Sequence, residues 1–480
     1  MNLSVFGSKA LTLWLVAIGI GVCCMPAARA NAGEETRAVT YYISSSTGND
    51  SNDGKSPESP WKTIGRVNTA QLKPGDCVLF RRGDVWRGQL IPVSGDPSGS
   101  VTYSAYGKGA KPRLCGSVDR SYKADWHSTA DNIWETGSIP CDVGNIIFDE
   151  GKTVGIKVWN RADVNGPDKF WYDKSGSVLM IYSEDNPAKK HRSIEVALTK
   201  NIIDESNRHH VTYQDLDLRY SGAHGIGGGN TSHIIVKNCD LSFIGGGFLL
   251  LPGYSNLVRY GNGVEFWQNA HDNLVDGCRF WEIYDTALSN QGFEKNTQTN
   301  IRYINNIIWD CEFAFECWDR PEDSVMENIY FENNTCINSG SGWSHTQRPD
   351  PGGRHLLFYE NPSKSRSVYI RNNIFYQQIH HDSEWCFVLC NDWSANLIVD
   401  HNCWYQPSGP MIVWPSNKWT MAEFANYQAK TGKDAHSIAS DPLFVDIDKH
   451  DFRPAANSPV RHLTAEKSYA GALPCAEESK

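Results

Sequence analysis

The sequence predicts an all-β solenoid in which short strands wind into stacked coils. One observation is an Asn-(apolar)-x-(apolar) pattern, with His or Ser sometimes replacing Asn, that recurs about every 24 to 40 residues, as in repeat architectures. Another is a second short apolar segment that follows each opening after a polar turn. The openings lie at 210–213, 233–236, 273–276, 300–303, 328–331, 367–370 and 396–399.

Stacking of coils explains this pattern physically. One coil cannot bury its inward side chains, but coils stacked at the sheet spacing of about 4.8 Å bury them in a continuous column. Asn and Gly tolerate the left-handed backbone of a sharp corner, and extra residues can leave a coil as loops, so irregular spacing is expected. A β-sandwich is the alternative, but it does not explain why Asn returns at the same place in each repeat.

The N-terminus predicts export. Residues 1–30 have the organisation of a secretory signal peptide, with a basic residue before an apolar run at 11–24 and Ala-Arg-Ala at 28–30 as a cleavage site. That run is short for a membrane span, and no other stretch could cross a bilayer. A lipoprotein anchor is the second interpretation, since Val22 and Cys23 fit a lipidation site poorly. We therefore expect a secreted or periplasmic protein with no membrane span.

Charge and cysteine content bound the partners. Cleavage after residue 30 removes two basic residues and no acidic one, so the net charge of −10 becomes −12. An acidic exported protein has little electrostatic reason to bind nucleic acid. Twelve of the 14 cysteines follow the signal peptide, an even number that makes some disulfides plausible in an oxidising compartment. No Cys/His spacing resembles a zinc site, so we predict no metal ligands.

The two ends of the mature chain carry the most specific motifs. Gly-Asn-Asp-Ser-Asn-Asp-Gly at 48–54, Pro-Trp-Lys-Thr-Ile at 60–64 and Pro-Gly-Asp at 74–76 resemble the N-terminal cap of exported bacterial right-handed parallel β-helix proteins of the pectate-lyase-like superfamily. Ser-Asp-Pro-Leu-Phe-Val at 440–445 and Asn-Ser-Pro at 457–459 resemble the last strand and exit of the same group. The resemblance covers nearly the whole mature chain. It implies a right-handed parallel β-helix and carbohydrate-directed activity, although the superfamily contains lyases, hydrolases, epimerases and non-catalytic members.

Interruptions of the coil pattern predict the domain organisation. Hairpin-like strands replace the coils between Cys115 and Glu195, and we interpret them as a small β insertion near the N-terminal end. Thr420 and Glu423 form a capping-box signal for a short helix that Gly432 ends. The predicted segments are a signal peptide (1–30), an N-terminal cap with the first coils (38–114), the β-hairpin insertion (115–200), the main coils (201–417), and a capping helix with the terminal strand (418–480).

The acidic turn at residues 49–53 suggests one cofactor. Closely spaced carboxylates and amides suit a hard cation, so Ca²⁺ binding is possible there. The alternative is a solvated Asn/Asp/Gly turn, which we favour. We expect no other cofactor.

The third strand of each coil carries the candidate site. Strand alternation sends Val264, Phe266, Leu288 and Phe315 inward, and their neighbours outward. The outward set combines carboxylates, amides and indoles, which suit a carbohydrate because rings cover sugar faces and polar groups bind hydroxyls. From it we predict Trp267, Gln291 and Trp318 as substrate-binding residues, together with Glu360 at the end of a later third strand.

Four clustered carboxylates are the candidate catalytic residues: Glu265, Asp285, Glu316 and Asp319. Glu265 and Glu316 lie two coils apart, roughly 10 Å along the stack, which is near the separation of an inverting glycosidase. Asp285, in the coil between them, could reach the shorter separation of a retaining enzyme. For each carboxylate taken singly, a coil-corner hydrogen bond is an equally good interpretation.

A long excursion at 338–354 interrupts the solenoid after these coils. Long loops within a compact fold are commonly functional, so we predict that His345 and Arg348 bind the sugar. Isolated coil histidines such as His224 and His271 are expected only to satisfy local backbone groups.

These residues predict a monomeric polysaccharide-degrading enzyme, a glycoside hydrolase with a carboxylate acid/base pair. A polysaccharide lyase is the main alternative, because an arginine such as Arg259, Arg320 or Arg348 could act as base. It is disfavoured because the only lysines between 208 and 361 are Lys237 and Lys295, both at coil starts or turns. A non-catalytic glycan-binding solenoid is the third alternative.

Overall fold

The chain is a right-handed parallel β-helix, as the repeats and the end motifs predict. The computed structural model describes residues 38–249, 258–320, 322–360, 362–378, 384–464 and 468–477. The predicted signal peptide at 1–30 lies outside the described residues. None of the helices within these ranges is long and apolar enough to cross a membrane.

Three sheets form the walls of the helix. The first sheet contains Thr40–Ile43, Cys77–Arg81, Val101–Tyr106, His209–Gln214, Ser232–Lys237, Leu274–Asp276, Thr297–Ile304, Val325–Glu332, Arg366–Arg371 and Leu397–Asp400. The second contains Val85–Arg87, Arg113–Cys115, Asp217–Ser221, Asp240–Ile244, Arg279–Ile283, Ile307–Trp309, Thr335–Ile337, Ile374–Tyr376, Cys403–Tyr405 and Ile438–Ala439. The third contains Ile203–Asp204, Ile226–Gly229, Val264–Trp267, Thr286–Gly292, Phe313–Asp319, Arg354–Phe358, Trp385–Leu389, Pro410–Trp414 and Asn417–Thr420.

Inward side chains stack in columns along these sheets. In the third sheet, the parallel register places six apolar residues directly above one another: Val264, Leu288, Phe315, Leu356, Phe387 and Ile412. All six side chains are fully buried. Burial of each stabilises the fold by about 1.5–3 kcal/mol relative to exposure, so the column is a main source of stability.

Asparagines serve the coils in two different ways. Some occupy left-handed corners, as Asn300 and Asn328 do with φ of 56° each. Others form a buried asparagine ladder of Asn306, Asn334, Asn373 and Asn402. In this ladder the backbone N–H of each residue donates to the side-chain oxygen of the next, over 2.9, 2.8 and 3.0 Å. The polar corner of each coil is thereby satisfied by the coil that follows.

The insertion near the N-terminal end contains two further sheets. One has the strands Ser117–Asp119, Val143–Phe148, Thr153–Val154 and Ile194–Leu198. The other has His127–Ala130, Ile133–Thr136, Ile156–Lys157, Lys169–Asp173 and Val178–Tyr182. Their pairing is antiparallel apart from that between Ile156–Lys157 and Lys169–Asp173. Between them they enclose a separate apolar core that includes Ile146, Phe170 and Ile181.

Short helices and hairpins complete the fold. The α-helices are Ile64–Asn68, Pro187–Lys190 and Phe424–Thr431, and the 3₁₀ helices are Lys123–Asp125, Asp149–Gly151, Arg161–Asp163, His345–Gln347, Ser394–Asn396, Met421–Glu423 and Ile447–Lys449. Two antiparallel hairpins pair Gly247–Leu249 with Val258–Tyr260, and Phe444–Asp446 with Asp451–Pro454.

The C-terminal helix covers the last coil, as predicted. Thr420 and Glu423 form the capping box, and Gly432 ends the helix with a left-handed φ of 67°. Tyr427 is fully buried against Trp414 and Trp419, with ring centroids 5.6 and 5.3 Å away. The open edge of the stack is thus protected by aromatic packing.

The acidic turn at 49–53 uses its carboxylates in hydrogen bonds. Asp50 accepts from the backbone N–H groups of Lys62 and Thr63 at 2.8 and 2.9 Å. Asp53 accepts from the Ser59 hydroxyl at 2.8 Å. These bonds fix the turn against the start of the first helix.

The expected disulfides are not formed. All twelve described cysteines carry free thiols, and most of them are buried. Some of the buried thiols donate to backbone carbonyls instead, as Cys239 does to Lys237 and Cys311 to Trp309, both over 3.4 Å.

Candidate active site

The register of the third sheet aligns the predicted outward residues. Glu265 pairs with Ser289, which pairs with Glu316 on the next coil. Two positions further along the strands, Trp267, Gln291 and Trp318 form a parallel row. The predicted alternation is therefore correct for these residues.

An open cleft of about 1660 Å³ lies on the outer face of the third sheet, where Phe313, Glu316 and Leu357 come from two adjacent strands. Two of the four predicted catalytic residues, Asp285 and Glu316, line it. The surrounding wall is aromatic and cationic, with Trp159, Tyr284, Phe313, Tyr359, Arg259, Arg348 and Arg354. Such a mixture of rings and charged donors suits a sugar with polar substituents.

Glu316 is held as a protonated carboxyl at neutral pH. Its side chain is buried, and burial together with the neighbouring Asp285 carboxylate raises the pKa of Glu316 to about 8. The Tyr359 hydroxyl donates to Oε1 over 2.7 Å, and the Gln291 amide donates to Oε2 over 2.6 Å. These two hydrogen bonds fix the orientation of the carboxyl group, as proton transfer to a bound substrate would require.

Asp285 is held by a cation. The Arg348 guanidinium donates to Asp285 Oδ1 over 2.9 Å and to the Tyr284 carbonyl over 3.1 Å. Burial raises the pKa of Asp285 above its usual value, and Arg348 opposes that rise. Arg348 is only 9% exposed, so its ion pair with Asp285 favours the charged form of this carboxylate, and among the described residues Glu316 has no such cation bonded to it.

Glu265 belongs to the neighbourhood but does not line the cleft. It is 7% exposed, and His224 Nε2 lies 2.8 Å from its Oε2. His224 Nδ1 accepts from the Asn262 backbone N–H over 3.0 Å, so Nε2 carries the proton and donates to Glu265. The field of Glu265 contributes to the raised pKa of Glu316. The expectation that His224 serves only local backbone is corrected, since this histidine also binds a candidate carboxylate.

Asp319 is separated from the other three carboxylates. It lies four positions after Phe315 on the same strand, so strand alternation points its side chain inward, and that side chain is fully buried. The Asn296 amide donates to Asp319 Oδ2 over 2.7 Å, and burial raises the pKa of Asp319 to about 7. Asp319 does not line the cleft, so the geometry gives it no access to a substrate there.

Some of the predicted substrate-binding residues line the cleft and others do not. Glu360 and Arg348 line the cleft, and Glu360 forms an ion pair with Arg320, whose Nε lies 2.8 Å from Glu360 Oε2. Trp318 packs face to face on Tyr359 at 5.5 Å and edge to face on Trp267 at 5.8 Å. Neither indole lines the cleft, so both support its wall from behind.

The loop at 338–353 delivers Arg348 to the cleft, and buried carboxylates hold that loop. Glu282 accepts from the Trp343 backbone N–H over 2.8 Å. Glu312, which is fully buried, accepts from the Gly352 N–H over 2.7 Å and lies 3.4 Å from His345 Nδ1. His345 therefore anchors the loop and does not line the cleft. Arg348 anchors the loop and also lines the cleft.

The sequence offers Glu312 as a further carboxylate near Asp285, but neither its contact with the loop nor the role of Tyr359 was predicted. Tyr359 is two positions beyond Leu357, the residue in register with Glu316, and parity alone could have placed it on the same outward face. Glu312 binds a loop that is distant in sequence, and no local pattern indicates that contact.

No family model matches the chain. A segment is 31% identical over 142 residues to lacto-N-biosidase of Bifidobacterium longum subsp. longum, which is 26% of this chain and 9% of that protein. Among solved structures, the GH136 lacto-N-biosidase from Eubacterium ramulus has a TM-score of 0.46 and 14% identity, over 78% of this chain and 61% of that one. A glycoside hydrolase has a TM-score of 0.49 and 9% identity, over 79% of this chain and 95% of its own. A pectate lyase has a TM-score of 0.41 and 14% identity, over 92% and 96%.

Proposed function

We propose that this chain is an exported, secreted or periplasmic, glycoside hydrolase that acts as a monomer on a polysaccharide or oligosaccharide. Glu316 is the general acid and Asp285 its carboxylate partner. The observation that carries the proposal is that one cleft holds two carboxyl groups in different environments: burial and Asp285 raise the pKa of Glu316 to about 8, whereas Asp285 pairs with the Arg348 guanidinium. Environments that separate the proton affinities of two acids are how an acid and a base are assigned in one site.

The chemistry follows from these states. Glu316, held by Tyr359 and Gln291, donates its proton to the glycosidic oxygen as the bond to the sugar breaks. Asp285 stabilises the developing positive charge and then either attacks the sugar or activates a water. The ring of Trp159, which lines the cleft and is 37% exposed, offers an apolar face for the sugar. This chemistry needs no cofactor.

The sequence similarity to lacto-N-biosidase supports cleavage of a glycosidic bond by this chain. A lyase is the second candidate, because three guanidinium groups line the cleft and could bind the carboxylate of a uronic acid. All three are already engaged within the protein, and Arg354 donates to the Gly352 carbonyl over 2.6 Å. Arg348 pairs with Asp285, and Arg259 donates to the carbonyls of Gly246 and Gly144 over 2.8 and 3.1 Å.

Product analysis tests the proposal. The purified protein is incubated with plant, algal and host-type glycans, and we expect reducing ends without the ultraviolet absorbance of unsaturated sugars. The anomeric form of the first product, followed by NMR, assigns Asp285 as nucleophile or as base. Absorbance by the products would instead establish the lyase. Retention of glycans on affinity gels without any cleavage would establish a binding protein.

The Glu316→Gln variant provides the matched test of the site. It keeps the shape and the Tyr359 contact but has no proton to donate, so product release should fall about 10²–10⁴-fold. Glu327→Gln, on the first sheet beside Arg366, is the control and should keep full activity. Full activity of Glu316→Gln would remove Glu316 from the mechanism.

A further inference from the structure

Three histidines form a column on the outside of the helix, at the corner that follows the third sheet. His210, His233 and His271 come from successive coils. The rings of His210 and His233 stack at 4.2 Å, and those of His233 and His271 meet edge to face at 5.9 Å. None of the three lines the cleft.

Three donor atoms converge within this column. His233, His271 and Asp272 each present one ligand atom, and these atoms all lie within 4.8 Å of one another. His271 Nδ1 is 2.8 Å from Asp272 Oδ2. The Asn300 amide, from the next coil, donates to Asp272 Oδ1 over 3.1 Å and so orients the carboxylate, as outer partners of metal ligands commonly do.

The backbone beneath these side chains is fixed by the coil stack. His233 and Asp272 both occupy left-handed corners, with φ of 56° and 55°. The His233 N–H donates to the His271 carbonyl, and the Asp272 N–H donates to the Thr299 carbonyl over 3.0 Å. The stack thus fixes the backbone of the candidate ligands, and only their side chains remain to adjust around an ion.

We propose that His233, His271 and Asp272 bind a divalent transition-metal ion of the zinc class, with water in the remaining positions. Two imidazoles and one carboxylate favour Zn²⁺, Ni²⁺ or Cu²⁺ over the oxygen-seeking Ca²⁺ and Mg²⁺. The site lies outside the cleft, so it stands whether or not the proposed hydrolase activity is correct. No local Cys/His spacing revealed it, because its ligands come from different coils.

A second cluster, Asp400 with His401 and His436, is a weaker candidate. Asp400 Oδ2 already contacts Nδ1 of His436 at 2.7 Å and Nδ1 of His401 at 3.3 Å. Its Oδ1 accepts from the backbone N–H groups of the same two histidines at 2.7 and 3.0 Å. A carboxylate offers about four lone-pair sites, so Asp400 is fully used within the fold.

Calorimetric titration with Zn²⁺ tests the proposal. The mature chain, purified without a histidine tag and treated with a chelator, should bind about one Zn²⁺, and the His233→Asn variant should bind it about tenfold more weakly or worse. Asn tolerates the left-handed corner, as Asn300 and Asn328 do in later coils, so this variant should fold. His127→Asn is the matched control, because His127 lies 3.6 Å from Glu135 without a third donor among the described residues, and it should bind Zn²⁺ like the unchanged chain.

A thermal melt gives an independent readout. Zn²⁺ should raise the Tm of the unchanged chain and leave that of His233→Asn where it is, since only a ligand of the folded state stabilises it. Excess Ca²⁺ should not displace the ion. Absence of Zn²⁺ binding, equal binding by His233→Asn, or loss of binding in His436→Asn instead would each overturn the proposal.

Discussion

Two sets of buried polar side chains run along the same solenoid and behave differently. The asparagine ladder repeats one contact from coil to coil, with Asn306, Asn334, Asn373 and Asn402 each accepting from the residue before or donating to the next. The carboxylates of the cleft also come from neighbouring coils, yet Asp285 and Glu316 make different contacts.

The difference follows from charge. A neutral amide both donates and accepts, so identical amides can satisfy one another in a stack. Carboxylates at the spacing of coils repel, and each needs a partner of another kind. Those partners come from irregular parts of the chain: Arg348 from the loop at 338–353, and Tyr359 from the end of a strand. Regular stacking thus stabilises the solenoid, and departures from it create the site.

Asp285→Asn should have the largest effect, because it should lower both the activity and the stability of the protein. It removes the candidate catalytic charge, so activity should fall about 10²–10⁴-fold. It also removes the carboxylate that Arg348 hydrogen-bonds, while Asp350 and Glu312 remain 3.4 and 3.9 Å from Arg348 Nε, so the free energy of unfolding should fall by about 1–3 kcal/mol. Denaturant unfolding and initial rates measure the two effects.

The double variant Asp285→Asn/Arg348→Gln separates these effects. Removal of both charges should restore part of the lost stability, because Glu312 and Asp350 also lie near Arg348, and none of the activity. If the double variant is no more stable than Asp285→Asn, the ion pair does not hold the loop.

Asn334→Leu should have the next largest effect and should act on stability alone. It leaves the Asn306 N–H and the Tyr303 carbonyl without their partners, and we expect a loss of about 3 kcal/mol in urea unfolding. The control Asn328→Gly, at a left-handed corner, should change stability by less than about 1 kcal/mol. Loss of catalytic rate in Asn334→Leu at temperatures where it is folded would contradict the prediction that the asparagine ladder affects stability alone.

The pH dependence should show a smaller, graded effect. Because Glu316 is active when protonated and has a pKa of about 8, activity should fall roughly tenfold per pH unit above that value. The stability of the fold should also fall as the pH rises. The pKa is raised on folding from about 4.3, so the stabilising contribution of Glu316 is complete below that pH and is lost as the pH rises through about 8. In Glu316→Gln, the Tm should decline less between about pH 5 and 8 than it does in the unchanged chain. An equal decline in both proteins would show that another group causes it.

Tyr359→Phe should have the smallest effect. Its hydroxyl bond favours the charged form of Glu316, so its removal should raise the pKa of Glu316 further and move the alkaline limb of the rate profile to higher pH. Below that limb we expect only a severalfold loss of rate. A limb that moves to lower pH would show that Tyr359 acts in another way.

The repeating part of this molecule was predictable from the sequence. The coils, the inward column from Val264 to Ile412 and the outward row of Glu265 and Glu316 all follow from a period of two within a longer repeat. The same parity, applied strictly, places Asp319 inward with Phe315, and it was overlooked. The docking of Arg348 on Asp285 and of His224 on Glu265 depends on loop conformations and coil spacing that no local pattern determines.

The insertion is tied to the chemistry through two consecutive residues. The Gln347 amide donates to the Gly155 carbonyl over 2.9 Å, and the adjacent Arg348 holds Asp285. A shift of the insertion by even a fraction of its own strand spacing would move Arg348, the ion-pair partner of the candidate catalytic residue Asp285. Exchange of this module between related proteins should therefore change turnover as well as the choice of sugar, and successful chimeras will need to carry the 338–353 loop along with it.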